Sequence, residues 1–190
     1  MRSFGWRTFC GGCAAVLSLL MLSTVAFAGK LTDGWKDTLK AMDEAKLTPA
    51  KAVEAAEAHS KGKAVSIMGM LKDKKLTVTV NVIAEGKCKA VTVDSAGKAT
   101  GMADAKADDM SCGTGADAVK MMDAAKTTLG KAIAAAEEHS KGKAVAAMSA
   151  ADSVTVACAV GDKMMMVTVD KTGKATKMDE EKEKTPIKGG

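Results

Sequence analysis

Residues 46–102 and 126–178 carry one sequence unit twice, and any fold for this chain has to accommodate that unit two times over. The run Ala58-His59-Ser60-Lys61-Gly62-Lys63-Ala64-Val65 returns 80 positions later as Glu138-His139-Ser140-Lys141-Gly142-Lys143-Ala144-Val145. Further on, Val91-Thr92-Val93-Asp94 and Gly97-Lys98-Ala99-Thr100 return as Val167-Thr168-Val169-Asp170 and Gly173-Lys174-Ala175-Thr176, now 76 positions apart. Without gaps, Lys46–Met68 matches Lys126–Met148 at 15 of 23 positions, and Thr77–Met102 matches Ser153–Met178 at 13 of 26. Shared composition does not produce agreement at that level. A duplicated unit implies two similar surfaces, which suits a binding protein better than a catalytic centre confined to one place.

Residues 1–28 read as a signal peptide. Arg2 and Arg7 give a positive start, Ala14–Leu22 is an apolar run too short for a confident membrane span, and Ala26-Phe27-Ala28 places small residues where a signal peptidase reads them. The expectation is a periplasmic or secreted protein with no membrane attachment once this segment is removed. Cys10 and Cys13 precede the apolar run, so their Cys-Gly-Gly-Cys spacing is lost with the leader and a lipid-attachment reading fits poorly.

Composition after the leader narrows the function classes. Trp35 is the only aromatic side chain left, and no Arg remains. Duplex readers use Arg forks on guanine and phosphate, and single-strand binders use stacking aromatics, so nucleic acid is excluded as an expected partner. The 26 Lys stand against 23 acidic residues, nearly balanced and interleaved. Units of this size bury little surface, and a core of Val, Ala, Leu and flexible Met predicts modest stability with the two copies packed on each other. Three cysteines remain, Cys88, Cys112 and Cys158, enough for one disulfide and one thiol. None recurs in the other copy, so the pairing stays open. Cys112, before Gly113, is the best candidate for an exposed thiol.

The periodicity predicts a helix over 33–46 capped by Asp33, with Trp35, Leu39 and Met42 on one face. Thr48-Pro49 restarts a helix, Thr as N-cap and Pro at the first helical position, where its missing N–H costs nothing. That helix runs to about Ser60 with Ala52, Val53 and Ala56 inward, and Gly62 is expected as the left-handed residue that ends it. In the second copy Thr128 caps, Leu129, Ile133 and Ala136 face inward, and Gly142 terminates. Lys75–Ala84 alternates Leu76, Val78, Val80 and Val82 with Thr77, Thr79 and Asn81, a half-buried antiparallel strand. Asp94–Gly97 and Asp170–Gly173 read as hairpin turns. Lys63–Met70 and the Ala-rich Lys143–Ser149 are weaker strand candidates. The expected class is therefore α+β, two repeated units, each a helix packed on a small antiparallel sheet. The expected organisation is a first unit with its leading helix over 29–102, a linker over 103–117, a second unit over 118–178 and a disordered tail over 179–190.

An Ala-rich helix ending in Gly, a hairpin, and a closing Val-x-Val-Asp-x-x-x-Gly-Lys resemble the PepSY domain family. The matching residues are Ala52, Ala55, Ala56, Gly62, Val91–Asp94, Gly97 and Lys98, and again Ala132, Ala135, Ala136, Gly142, Val167–Asp170, Gly173 and Lys174. Gly62, Asp94, Gly97, Gly142, Asp170 and Gly173 are thereby structural motif positions. The family's central strand usually carries an aromatic, where this chain has Thr and Val. The resemblance implies an extracytoplasmic, non-enzymatic binding or regulatory module acting on a protein or peptide, such as a secreted peptidase restrained in trans, with no cofactor.

The competing class is a periplasmic soft-metal binder of copper type. His59 and His139 are the only histidines and occupy equivalent places, as do Met68 and Met148. The simpler account is that an imidazole near a helix C-terminus complements the dipole. Neighbouring methionines in Met164-Met165-Met166 point to opposite faces of a strand. One carboxylate per turn at Asp94 and Asp170 falls short of the roughly six to eight oxygens calcium takes. Ser60 and Ser140 adjoin histidines, but helix neighbours diverge and build no charge relay. The chain is expected not to be an enzyme.

Overall fold

The computed structural model describes residues 34–105, 110–124 and 126–180, without the side chains of Lys72, Met110, Ser111 and 177–180. The predicted signal peptide, Asp33 and the tail beyond Glu180 lie outside these residues. Helix α1 spans Trp35–Glu44 and α2 Pro49–Ser60; strands β1 to β4 follow at Lys63–Lys72, Lys75–Ala84, Lys87–Val93 and Ala99–Asp104. Then come α3 Met110–Gly113, α4 Gly115–Ala124, α5 Leu129–Ser140, and strands β5 to β8 at Lys143–Ser149, Ser153–Val160, Lys163–Asp170 and Ala175–Glu180. All eight strands form one antiparallel sheet in the order β4-β3-β2-β1-β5-β6-β7-β8. The protein is α+β, but the two small sheets expected from the sequence are one large one.

The weaker strand candidates, β1 and β5, are the centre of that sheet. They meet over Ser66↔Met148, Ile67↔Ala147 and Met68↔Ala146. At the offset of 80, Ile67 and Ala147 are equivalent positions, so the seam pairs one half's residue with its counterpart in the other. Both strands were hard to read for one local reason. A bulge at Ala64/Ser66 in β1 and at Ala144/Ala146 in β5 breaks the period-two pattern by inserting a valine, Val65 or Val145.

Strand alternation sorts the side chains into two faces. Val78, Val80, Val82, Val91 and Val93 join Ala52, Val53 and Ala56 of α2 in the main core, and Val154, Val156, Val167 and Val169 join Ala132, Ile133 and Ala136 of α5. The opposite, back face of the second half holds a separate cluster of Val145, Ala146, Ala157, Ala159 and Met164. Trp35 and Leu39 of α1 pack on it, reaching across from the first half. Met42, by contrast, belongs to the main core, and Thr38 and Met42 both lie against Gly69. The single face expected for Trp35, Leu39 and Met42 is therefore divided. The start of α4 makes the reciprocal move: Gly115 lies against Ile83 and Val65 of the first half.

Thr48 and Thr128 cap α2 and α5 as expected, their hydroxyls accepting from the amides of Lys51 and Lys131. The glycines after these helices have another purpose. Lys61 (φ 54°) and Lys141 (φ 56°) take the left-handed conformation, not Gly62 and Gly142. A Cβ on Gly62 would lie 2.6 Å from the Ile83 carbonyl oxygen, and one on Gly142 2.5 Å from that of Ala159, so each glycine admits a neighbouring strand's backbone. The cap of α1 is Gly34 (φ 87°), with no side-chain hydrogen bond. The expected linker is partly structured, since β4 extends to Asp104, α3 covers Met110–Gly113, and α4 begins at Gly115 instead of 117. The expected tail likewise loses its first two residues to β8.

Candidate functional site

Why the Glu-x-His-Ser-Lys-Gly-Lys-Ala-Val stretch recurs so faithfully is explained by local geometry. Ser60 donates to the Ala56 carbonyl at 2.8 Å and accepts from the Gly62 amide at 3.1 Å; Ser140 does the same with Ala136 and Gly142. The Glu57 carboxylate accepts from the Ala64 amide at 2.9 Å, and Glu137 from Ala144 at 2.8 Å. Together these contacts tie the end of each helix to the strand that follows, and use backbone donors the bulge would leave unpaired. The sequence marks Glu57 and Glu137 only as a carboxylate six residues before each strand start.

His59 and His139 sit in the last turns of α2 and α5, exposed, on the helix-covered side of the sheet. Met68 and Met148 are half-buried on the back face. The sheet lies between the histidines and the methionines, so the four residues of the soft-metal reading do not converge. Met68 and Met148 themselves are diagonal neighbours across the seam. Among the described residues no group of three or more His, Cys, Asp or Glu is arranged to hold a metal ion. Met164 and Met166 both contribute to the back-face cluster, whereas Met165 pairs with Cys158 and points to the other face.

The motif aspartates build turns. The Asp94 carboxylate accepts from the amides of Ala96 and Lys98 at 2.9 and 3.0 Å, with Gly97 at φ 76°. Asp170 accepts from the amides of Thr172 and Lys174 and also from the Thr172 hydroxyl, with Gly173 at φ 81°. The Thr172 hydroxyl, helped by those amides, holds the Asp170 carboxyl below the usual carboxylate range.

Cysteine chemistry is resolved in a way the spacing could not give. Cys88 and Cys112 form a disulfide, so Cys112 is not the exposed thiol it was expected to be. Cys158 is the free one and is buried, and burial pushes its thiol up to about 11. A thiol held protonated in this way is inert as a nucleophile.

What the sheet brings together is a patch the sequence did not mark as a site. On the back face Thr92 pairs with Thr79, and Thr79 with Met68; across the seam Met148 pairs with Thr155, and Thr155 with Thr168. All six are half-exposed, and each is matched by the same residue type at the equivalent place in the other half. Their back-face neighbours under the helix starts differ between the halves: Asn81 answers Ala157, Ile83 answers Ala159, and Cys88 answers Met164. Beside the patch, Met70 is 53% exposed. Near the β6–β7 turn, Trp35, Leu39, Lys36, Lys40 and Asp162 line a shallow cleft of about 300 Å³. There Lys36 bonds Asp162 at 2.8 Å, which lowers the Asp162 pKa, and lies 5.5 Å from the Trp35 ring centroid.

No family model matches the chain, and no curated protein matches it. Among solved structures, it is similar to a candidate lipoprotein from Clostridium difficile 630, at 15% identity and a TM-score of 0.41, over 68% of this chain and 90% of that one. No helix among the described residues is long and apolar enough to cross a membrane.

Proposed function

We propose that the chain is an exported, non-catalytic binding module built from two copies of one helix-and-sheet unit, and that it captures a protein or peptide with the back face of its joined sheet. The observation that carries this reading is the six-residue patch of Thr92, Thr79 and Met68 with Met148, Thr155 and Thr168. These six agree between the copies, whereas the back-face positions toward the helix starts have diverged, Asn81 answering Ala157, Ile83 Ala159, Cys88 Met164 and Ala90 Met166. Thioethers adapt to varied partners, and threonine hydroxyls offer hydrogen bonds without a fixed charge. Export is supported by the leader sequence and by the Cys88–Cys112 disulfide, which suits an oxidising compartment. Among partner classes, a secreted peptidase restrained in trans accords with the PepSY resemblance.

Thr79→Lys combined with Thr155→Lys places two like charges on the patch without touching the core. Capture of a partner from the secreted fraction should fall at least about tenfold, as expected when a charge is buried unpaired at an interface. A double variant with unchanged circular dichroism that still captures the same partner would remove the sheet face as the binding surface. The two edge strands would then be the next surface to test.

A further inference from the structure

We infer that the Cys88–Cys112 disulfide is a redox-operated clamp that holds the start of α4 over the back face of the first half. The two leading helices occupy equivalent places, 80 residues apart, and each sends its first turns onto the other half's strands. In α1 the fastening is side-chain burial, Trp35 and Leu39 against Val145, Ala146, Ala157, Ala159 and Met164. In α4 the residue at the place of Trp35 is Gly115, whose backbone approaches so closely that a Cβ would lie 2.6 Å from Ile83 Cδ1. Ala116 and Asp117 are exposed, and the core anchors Ala118, Met121 and Met122 come only later in the helix. Where the second half has Met164 under Trp35, the first half has Cys88, bonded to Cys112 just before α4. The covalent link thus stands in for the missing aromatic anchor.

Both cysteines are half-buried, within reach of a reductant. A small dithiol would attack one sulfur as thiolate to give a mixed disulfide, and its second thiol would close on the first. Two electrons and two protons then reside on Cys88 and Cys112 as thiols, and the reductant leaves as its own disulfide. With the clamp open, α3 and the first turn of α4 lose their tether while Met121 and Met122 still hold the far end. Ile83 and Val65 are uncovered, extending the apolar part of the back face beside Thr92 and Thr79. This switch does not depend on which partner the patch binds, or on whether it binds one.

Hydrogen exchange on the full chain tests it, with dithiothreitol as the probe reductant. Ala118 bonds back to Thr114 and Thr38 to Gly34, so the amides of 118–120 and 38–40 report the two helix starts in the same sample. On reduction, 118–120 should exchange at least about tenfold faster through a local opening that low urea leaves unchanged, while 38–40 and the amides of β1, β2, β5 and β6 speed up only with the loss of global stability and keep their urea dependence. Cys88→Ser with Cys112→Ser should give the same pattern without reductant. Unchanged protection at 118–120 in either sample overturns the clamp. So does a rise at 118–120 that carries the same urea dependence as the strands, which would make the disulfide a global staple only.

Discussion

The helices Trp35–Glu44 and Gly115–Ala124 hold equivalent places and are fastened by different chemistry. The first is pinned by an aromatic side chain on an apolar cluster, the second by a covalent bond beside a glycine contact. Around them much is shared: Lys143 pairs with Asp43 and Lys63 with Asp123, each across the halves, and Met42 and Met122 are buried at matching positions. The need is common to both halves, because each back face must be covered where β2 meets β3 or β6 meets β7. How it is met can differ, since burial of an aromatic and loss of chain entropy both supply a few kcal/mol.

The largest effects should come from removing the two fastenings separately. Cys88→Ser with Cys112→Ser opens a loop with a sequence separation of 24 and should lower unfolding stability by about 3 kcal/mol. Trp35→Ala should cost less, about 2 kcal/mol, because the ring is only partly buried. Urea denaturation of each variant measures both. If Trp35→Ala proves silent, α1 is held by Met42 and Thr38 alone, and the pairing of aromatic with disulfide breaks.

Where the halves are the same, the effects should be the same. Gly62→Ala and Gly142→Ala each drive a methyl into a backbone carbonyl, and each should destabilise by about 2 kcal/mol, agreeing within about half a kcal/mol. Gly115→Ala is the contrast. Its methyl meets the far end of the flexible Ile83 side chain, which can rotate, so a cost below about 1 kcal/mol is expected. Unequal values at Gly62 and Gly142 would mean that the two helix-to-strand junctions differ in compliance despite matching geometry.

These same glycines show where sequence reasoning reached and where it stopped. Thr48 with Pro49, the alternation of Leu76 to Val82, and the Asp94 and Asp170 turns are local patterns, and the structure repeats them. Gly62 reads locally too, as a helix terminator, whereas its reason is a strand more than twenty residues away. The central strands were the least legible elements. Ala144, Ala146 and Ala147 carry little β signal, and the bulges disrupt the alternation that would have revealed them. Neither the Cys88–Cys112 pairing nor the Thr/Met patch could be seen before the register was known. Both join residues by fold and not by spacing, and the patch draws on six strands from two halves.

Cys158 offers a smaller effect confined to one half, since Val82 holds the equivalent position. Burial raises the folded-state thiol to about 11 from an ordinary value of 9.0. The folded protein therefore keeps this proton after the unfolded chain has released it. Stability from this group is whole below pH 9 and is lost as pH climbs toward 11. Cys158→Val should flatten the alkaline limb of the stability curve. An unaltered limb would place the alkaline loss on the lysines. Alkylation by iodoacetamide at pH 8 should label Cys158 in the wild type only after denaturation.

The finest distinction between the halves lies in their matching turns. Thr172 adds a hydroxyl donor to Asp170, and the equivalent residue beside Asp94 is Ala96, which has none. A hydroxyl bonded to the ionised carboxylate favours that form, so the Asp170 pKa is depressed in the folded state. Its contribution is present above the unfolded carboxylate pKa and lost as pH falls through the folded value. Thr172→Ala should move the Asp170 titration upward, read by NMR of its side-chain carboxyl. The reciprocal change, Ala96→Thr, should stabilise the first turn by giving the Asp94 carboxylate the same hydroxyl donor. If Thr172→Ala leaves the titration in place, the backbone amides of Thr172 and Lys174 alone set it, and the two turns are chemically equivalent after all.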